Sequence, residues 1–135
     1  MIEIDEFDIN ERQIFNYGHT FGHAIESLTN YGIPHGIAVS FGMDIANFIS
    51  VKEGFLKKEI RSEIRLFLIQ IWNGFSIKRI NVKEFIIALS KDKKNIDNEL
   101  RLILCRDYGK VFKSARKIDN EFKSWLDYYF KYEAS

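Results

Sequence analysis

A chain of 135 residues, 46% hydrophobic and 15% aromatic, has room for one core and falls in the size range of a single independently folding domain. Its formal charge of +1, with acidic and basic residues interspersed, provides no basic stripe, which disfavours nucleic acid or an anionic membrane as a partner. The single cysteine, Cys105, excludes an internal disulfide, no apolar run reaches the length of a membrane span, and the acidic start Met1-Ile-Glu-Ile-Asp-Glu lacks the order of a signal peptide, so a cytoplasmic protein is expected.

The first helix is expected from Asn10, an N-cap residue type, to about Thr29, because Ile14, Phe15, Phe21, Ala24, Ile25 and Leu28 recur at helical spacing. Gly18 and Gly22 inside it each cost about 1 kcal/mol against alanine, so close approach of another backbone or of a ligand is expected there. A second helix begins at His35 or Gly36 and runs to a stop at Gly54; apolar residues nearly surround it, which makes it central. A third spans about Leu56 to Trp72, with Ile60, Ile64, Phe67, Leu68 and Ile71 inward and its charges on a solvated face. A fourth, capped near Asn81, carries Val82, Phe85, Ile86 and Leu89. Leu100 to Leu104 and Lys110-Val111-Phe112, separated by Asp107-Tyr108-Gly109, read as a short hairpin. A last helix from about Asp119 buries Phe122, Trp125, Leu126 and Tyr129. The expected fold is one mainly α domain over 1–135, with about five helices and a short β-hairpin near the C-terminus.

All three histidines lie in one stretch, His19, His23 and His35. His19 and His23, four apart on a helix, project from one face, and a turn carrying Pro34 can return His35 beside them. Neutral imidazoles suit zinc and neighbouring divalent metals, and a catalytic zinc keeps three protein ligands and one open position. The spacing points to a metal or phosphate site without completing it. Glu26, three residues after His23, is open to a role as a local third ligand, although orienting a histidine or pairing at the surface is the simpler reading.

The pattern Arg12-x-x-x-Asn16-x-Gly18-His19-Thr20-x-Gly22-His23-Ala24-x-Glu26, followed by His35-Gly36-x-Ala38-Val39-x-x-Gly42-Met43, resembles the C-terminal domain of the 3-dehydroquinate synthases and related sugar-phosphate cyclases. Asp92-Lys93-Lys94, the strand Leu100 to Leu104 and the Tyr108-Gly109 turn resemble the end of the same domain, so the similarity covers nearly the whole chain in order.

The resemblance implies a two-domain enzyme in which an N-terminal dinucleotide-binding domain holds NAD and this helical domain supplies most metal and substrate contacts. That N-terminal domain is expected to lie outside this chain, which alone would be inactive. By the resemblance, His19 and His35 are ligands of a divalent metal, zinc or else cobalt, and the third ligand is a glutamate in a segment preceding Met1. His23 would meet the substrate phosphate, Arg12 the substrate carboxylate, and Asn16 with a lysine of the Lys93-Lys94 pair the substrate oxygens and phosphate; His23 and Asn16 are the expected catalytic residues. Without the resemblance, Lys93 and Lys94 read as an ordinary charged loop. The implied chemistry is NAD-dependent oxidation of a hydroxyl, elimination of phosphate, re-reduction, and an intramolecular aldol closure that turns 3-deoxy-arabino-heptulosonate 7-phosphate into 3-dehydroquinate on the shikimate pathway.

The chain departs from the family pattern at Ile37, where most dehydroquinate synthases carry a glutamate, and at Gly74-Phe75-Ser76, which lacks the usual Leu-Pro. Relatives make other cyclitols from other sugar phosphates, so a related cyclase or a metal-dependent polyol dehydrogenase is an alternative. A helical interaction module without catalysis is an alternative of another class. Whether the parent enzyme is a homodimer is not written in the sequence.

Overall fold

The computed structural model describes residues 18–30, 32–72, 74–90, 99–107 and 110–134. In chain order these form α1 (His19–Leu28), α2 (His35–Lys52), α3 (Lys58–Trp72), α4 (Val82–Ser90), the strands β1 (Glu99–Asp107) and β2 (Lys110–Lys117), and α5 (Asn120–Tyr132). The mainly α expectation with one hairpin holds.

Helix α2 is the axis of the domain. Its buried residues face every direction, with Ala38, Phe41, Gly42, Ile45, Ala46, Phe48 and Ile49 all inside, as expected of a helix that is apolar around its circumference. On one side it meets α1 at backbone distance: a Cβ on Gly42 would lie 2.0 Å from the Gly18 carbonyl oxygen, and one on Gly22 would lie 3.1 Å from the Val39 Cα. The glycines therefore serve helix–helix contact. Gly18 itself sits at φ +86 directly before α1, so the single helix expected from Asn10 does not run unbroken through it; its portion before Gly18 lies outside the described residues.

The other side of α2 packs on α3 and α5. Phe41 stacks on Trp72 with centroids 4.2 Å apart, and Phe48 meets Tyr129 edge-on at 5.5 Å. Between these rings lies an ion-pair cluster that includes Arg61 and Arg65, charges of α3 expected on its solvated face. Asp44, fully buried on α2, accepts from Arg61 Nη2 at 3.1 Å, from Arg65 Nη1, and from the Tyr129 hydroxyl at 2.8 Å, all on Oδ2. Glu133 pairs with Arg61 at 3.2 Å, and its backbone oxygen accepts from Arg65. Burial alone would lower the Arg61 pKa, but Asp44 and Glu133 together hold it above its ordinary value. Burial, then the Asp44 charge and hydrogen bond, push Tyr129 well above the usual phenol range.

Helix α3 keeps part of its expected inner face, with Leu68 buried and Ile60 and Ile64 packed against the core, but departs from it at Phe67 and Ile71. Its buried side is Arg61, Leu68 and Trp72, whereas Phe67 is 71% exposed and Ile71 49% exposed, beside Leu66 at 65%. Arginine outcompetes phenylalanine for the inner face because Asp44 cannot be buried without a cation. Helix α4 follows the reading: Asn81 Oδ1 caps it by accepting from the Glu84 N–H at 3.2 Å, and Phe85 and Leu89 are buried. The hairpin is longer than the expected one, pairing antiparallel from Glu99↔Lys117 to Asp107↔Lys110 with an irregularity between Cys105 and Asp107; the Tyr108-Gly109 turn lies outside the described residues. Asp119 caps α5, its Oδ1 accepting from the Phe122 N–H at 2.9 Å. Among the described residues, no helix is long and apolar enough to cross a membrane.

Candidate metal and substrate site

The site is built by the turn between α1 and α2. Thr29 closes α1, its hydroxyl donating to the Ile25 carbonyl at 2.8 Å, and the Gly32 N–H donates to the Thr29 carbonyl at 2.9 Å. Asn30 enters the left-handed region at φ 51, and Pro34, with its φ of −55, ends the turn so that α2 starts at His35. The close glycine contact of α1 and α2 then sets the two helices side by side.

The result brings the three imidazoles together. Ring centroids are 5.4 Å apart for His19 and His35, 5.6 Å for His19 and His23, and 6.3 Å for His23 and His35. His35 Nδ1 is 2.7 Å from Oε1 of Glu26, whose side chain is 10% exposed while the imidazole is 56% exposed. The carboxylate is buried behind the ring and the ring faces outward.

Two imidazoles sharing a tetrahedral ion through N–metal bonds of roughly 2.0–2.1 Å have ring centres about 3.2 Å from the metal and about 5.2 Å from each other. The observed 5.4 Å between His19 and His35 and 5.6 Å between His19 and His23 both lie near that value, whereas 6.3 Å between His23 and His35 is longer. His35 also has the carboxylate on its other nitrogen that histidine ligands characteristically carry. Among the described residues, no group of three or more His, Cys, Asp or Glu side chains could by itself hold a metal ion. His19 and His35 are spaced as two ligands of one ion would be, and the carboxylate on His35 sets that ring apart from His23.

A family model described as 3-dehydroquinate synthase C-terminal matches residues 1–95, a span that contains every histidine of the cluster. The chain belongs to this family. Among curated relatives, a 3-dehydroquinate synthase of Clostridium beijerinckii is 34% identical over 120 residues, 88% of this chain and 34% of its own length. One of Campylobacter jejuni subsp. jejuni is 38% identical over 111 residues, 82% of this chain and 32% of its own length. The chain thus spans about a third of the length of these relatives. Among solved structures, a 2-deoxy-scyllo-inosose synthase complexed with carbaglucose-6-phosphate, NAD+ and Co2+ superposes with a TM-score of 0.71 at 24% identity, covering 90% of this chain and 35% of that one. A second 2-deoxy-scyllo-inosose synthase structure gives 0.67 at 26% identity, covering 90% and 32%.

In this dehydroquinate-synthase C-terminal domain, Arg12, Asn16, Lys93 and Lys94 lie outside the described residues. Ile37, at the position of the departure from the family pattern, lies in the first turn of α2 two residues after His35 and is partly buried against the core. Sequence reasoning weighed Glu26 against three roles; the geometry shows it engaged on His35. Gly42 carries no local sequence signal beyond its place in the motif, and its part in bringing α1 onto α2 emerges from the packing alone.

Proposed function

We propose that this chain is the metal- and substrate-binding portion of a 3-dehydroquinate synthase-like enzyme, working with an N-terminal NAD-binding domain to convert 3-deoxy-arabino-heptulosonate 7-phosphate into 3-dehydroquinate with loss of phosphate. The observation that carries this reading is the pairing of His19 with a His35 backed by Glu26 at the spacing two metal ligands need. Family membership and the NAD+ and Co2+ held by the 2-deoxy-scyllo-inosose synthase of the same fold support it.

His19 and His35 would hold zinc or cobalt, with the third ligand a carboxylate from the N-terminal domain. Bound there, the metal would orient a substrate hydroxyl and polarise its carbonyl oxygen once oxidised, while NAD takes up and returns the hydride. His23, exposed one turn from His19, donates an N–H to the phosphate that leaves. Arg12 pairs with the substrate carboxylate in the planar two-point fashion of a guanidinium, and Asn16 with Lys93 or Lys94 binds substrate oxygens and phosphate.

A related sugar-phosphate cyclase is the second reading, favoured by Ile37 in place of the family's glutamate and by the fold shared with 2-deoxy-scyllo-inosose synthase. The test combines this chain with a dinucleotide-binding N-terminal domain, NAD and zinc, and follows inorganic phosphate and NADH with a panel of sugar phosphates. Release of phosphate from the heptulosonate without accumulating NADH is expected. Release only from another sugar phosphate would favour the second reading. Steady NADH accumulation would indicate a dehydrogenase, and catalysis by this chain without the other domain would overturn the division of labour.

A further inference from the structure

Glu26 is placed where local helix chemistry does not want it. It lies in the last turn of α1, where the exposed carbonyls disfavour a carboxylate, and it is buried as well. Its side-chain contact is His35 Nδ1 at 2.7 Å, across the turn. One hydrogen bond to a half-exposed imidazole does no more than offset the cost of burying a carboxylate, so fold stability does not account for the place of Glu26.

The chemistry of the contact selects one form of the ring. An ionised carboxylate only accepts hydrogen bonds, so His35 Nδ1 must be the N–H that donates. In a neutral imidazole the other nitrogen, Nε2, then carries the lone pair, and it lies on the side of the ring away from Glu26. The ring is otherwise exposed on the first residue of α2, where its side-chain torsions have room to turn.

We propose that Glu26 is a positioning residue that locks His35 as the Nδ1–H tautomer and fixes its orientation, so that Nε2 is presented to an ion shared with His19. The inference rests on the metal reading of the site for its purpose, but the lock itself is a property of the chain.

The test records long-range proton–nitrogen correlations of the histidine rings at about pH 9, where an ordinary imidazole is neutral, in the unaltered chain, Glu26→Ala and Glu26→Gln, with circular dichroism to verify folding. His35 is expected as Nδ1–H in the unaltered chain. The lock should be lost in Glu26→Ala and retained in Glu26→Gln, whose amide oxygen can still accept. A zinc titration followed on the same signals should weaken about 10- to 100-fold in Glu26→Ala, the range for loss of such a supporting carboxylate. An Nε2–H ring in the unaltered chain, or an unchanged tautomer in folded Glu26→Ala, would overturn the proposal; if Glu26→Ala fails to fold, an Nδ1–H ring lost in Glu26→Gln would do the same. Zinc binding with no tautomer preference would refute the lock and leave the metal reading intact. A locked ring whose signals do not respond to zinc would support the lock and count against the metal reading.

Discussion

Replacing Asp44 by asparagine keeps the side chain's shape and removes its charge, so no cavity complicates the result. In the native fold Oδ2 of Asp44 receives Arg61, Arg65 and the Tyr129 hydroxyl, and the carboxylate is fully buried. The two arginines, with side chains 10% and 15% exposed, would retain Glu133 as their carboxylate partner, itself 26% exposed. Removing one member of a buried pair typically costs about 3–5 kcal/mol, and here it leaves two arginine charges sharing one more exposed carboxylate. With an unfolding entropy of roughly 2.1 cal/mol/K per residue, that corresponds to a fall in Tm of about 10–18 °C for a chain of this length. Tyr129→Phe removes one hydrogen bond to a charged group and leaves both arginines on Asp44, so it should cost about 1.5–3 kcal/mol. Urea titration of the three proteins, with the slope compared to verify two-state unfolding, gives both differences. A loss below about 1 kcal/mol in Asp44→Asn, or a larger loss in Tyr129→Phe than in Asp44→Asn, would refute the view that this carboxylate holds α2, α3 and α5 together.

Further expectations follow from the same geometry. Gly42→Ala sets a Cβ against the Gly18 carbonyl and should destabilise by about 3 kcal/mol, whereas Gly54→Ala, at φ +83 with open space around it, should cost about 1 kcal/mol; thermal unfolding separates the two. The folded-state pKa of Tyr129 is raised, so its contribution to stability is complete below the unfolded phenol's value of about 10 and is lost as pH rises above it, by at most about 1.4 kcal/mol per pH unit. Urea midpoints from pH 9 to 11.5 should therefore fall more steeply in the unaltered chain than in Tyr129→Phe, and parallel slopes would contradict the assignment. His23→Ala in the assembled enzyme should weaken binding of the sugar phosphate with metal content unchanged; loss of metal instead would make His23 a ligand.

Much of this fold is legible in the sequence because its signals are local. Asn81 caps its helix as expected, and Asp119, expected only as a helix start, proves to cap as well. The pairing of Gly18 and Gly22 in one helical stretch implies something lying against it, and that something is the backbone of α2. The histidine cluster is legible because helical spacing and one proline suffice to converge the rings. What sequence alone misplaced is part of α3, whose Ile60, Ile64 and Leu68 face the core as expected. Phe67 and Ile71 have the spacing of core residues, and Arg61 and Arg65 look solvated, yet the buried carboxylate of Asp44 reverses the preference. The clue was present in an acidic residue within a helix apolar on all sides, but its partners are 17, 21 and 85 positions away, and no periodicity within one helix can reveal them.

We propose that His19 and His35 of this chain contribute two imidazoles to one metal ion. Calorimetric zinc titration of the unaltered chain beside His19→Ala, His35→Ala and His23→Ala tests it most directly. Weak binding of one zinc per chain is expected, abolished in the first two variants and retained in the third. Zinc bound as well without His35 as with it, or lost only when His23 is removed, would contradict it.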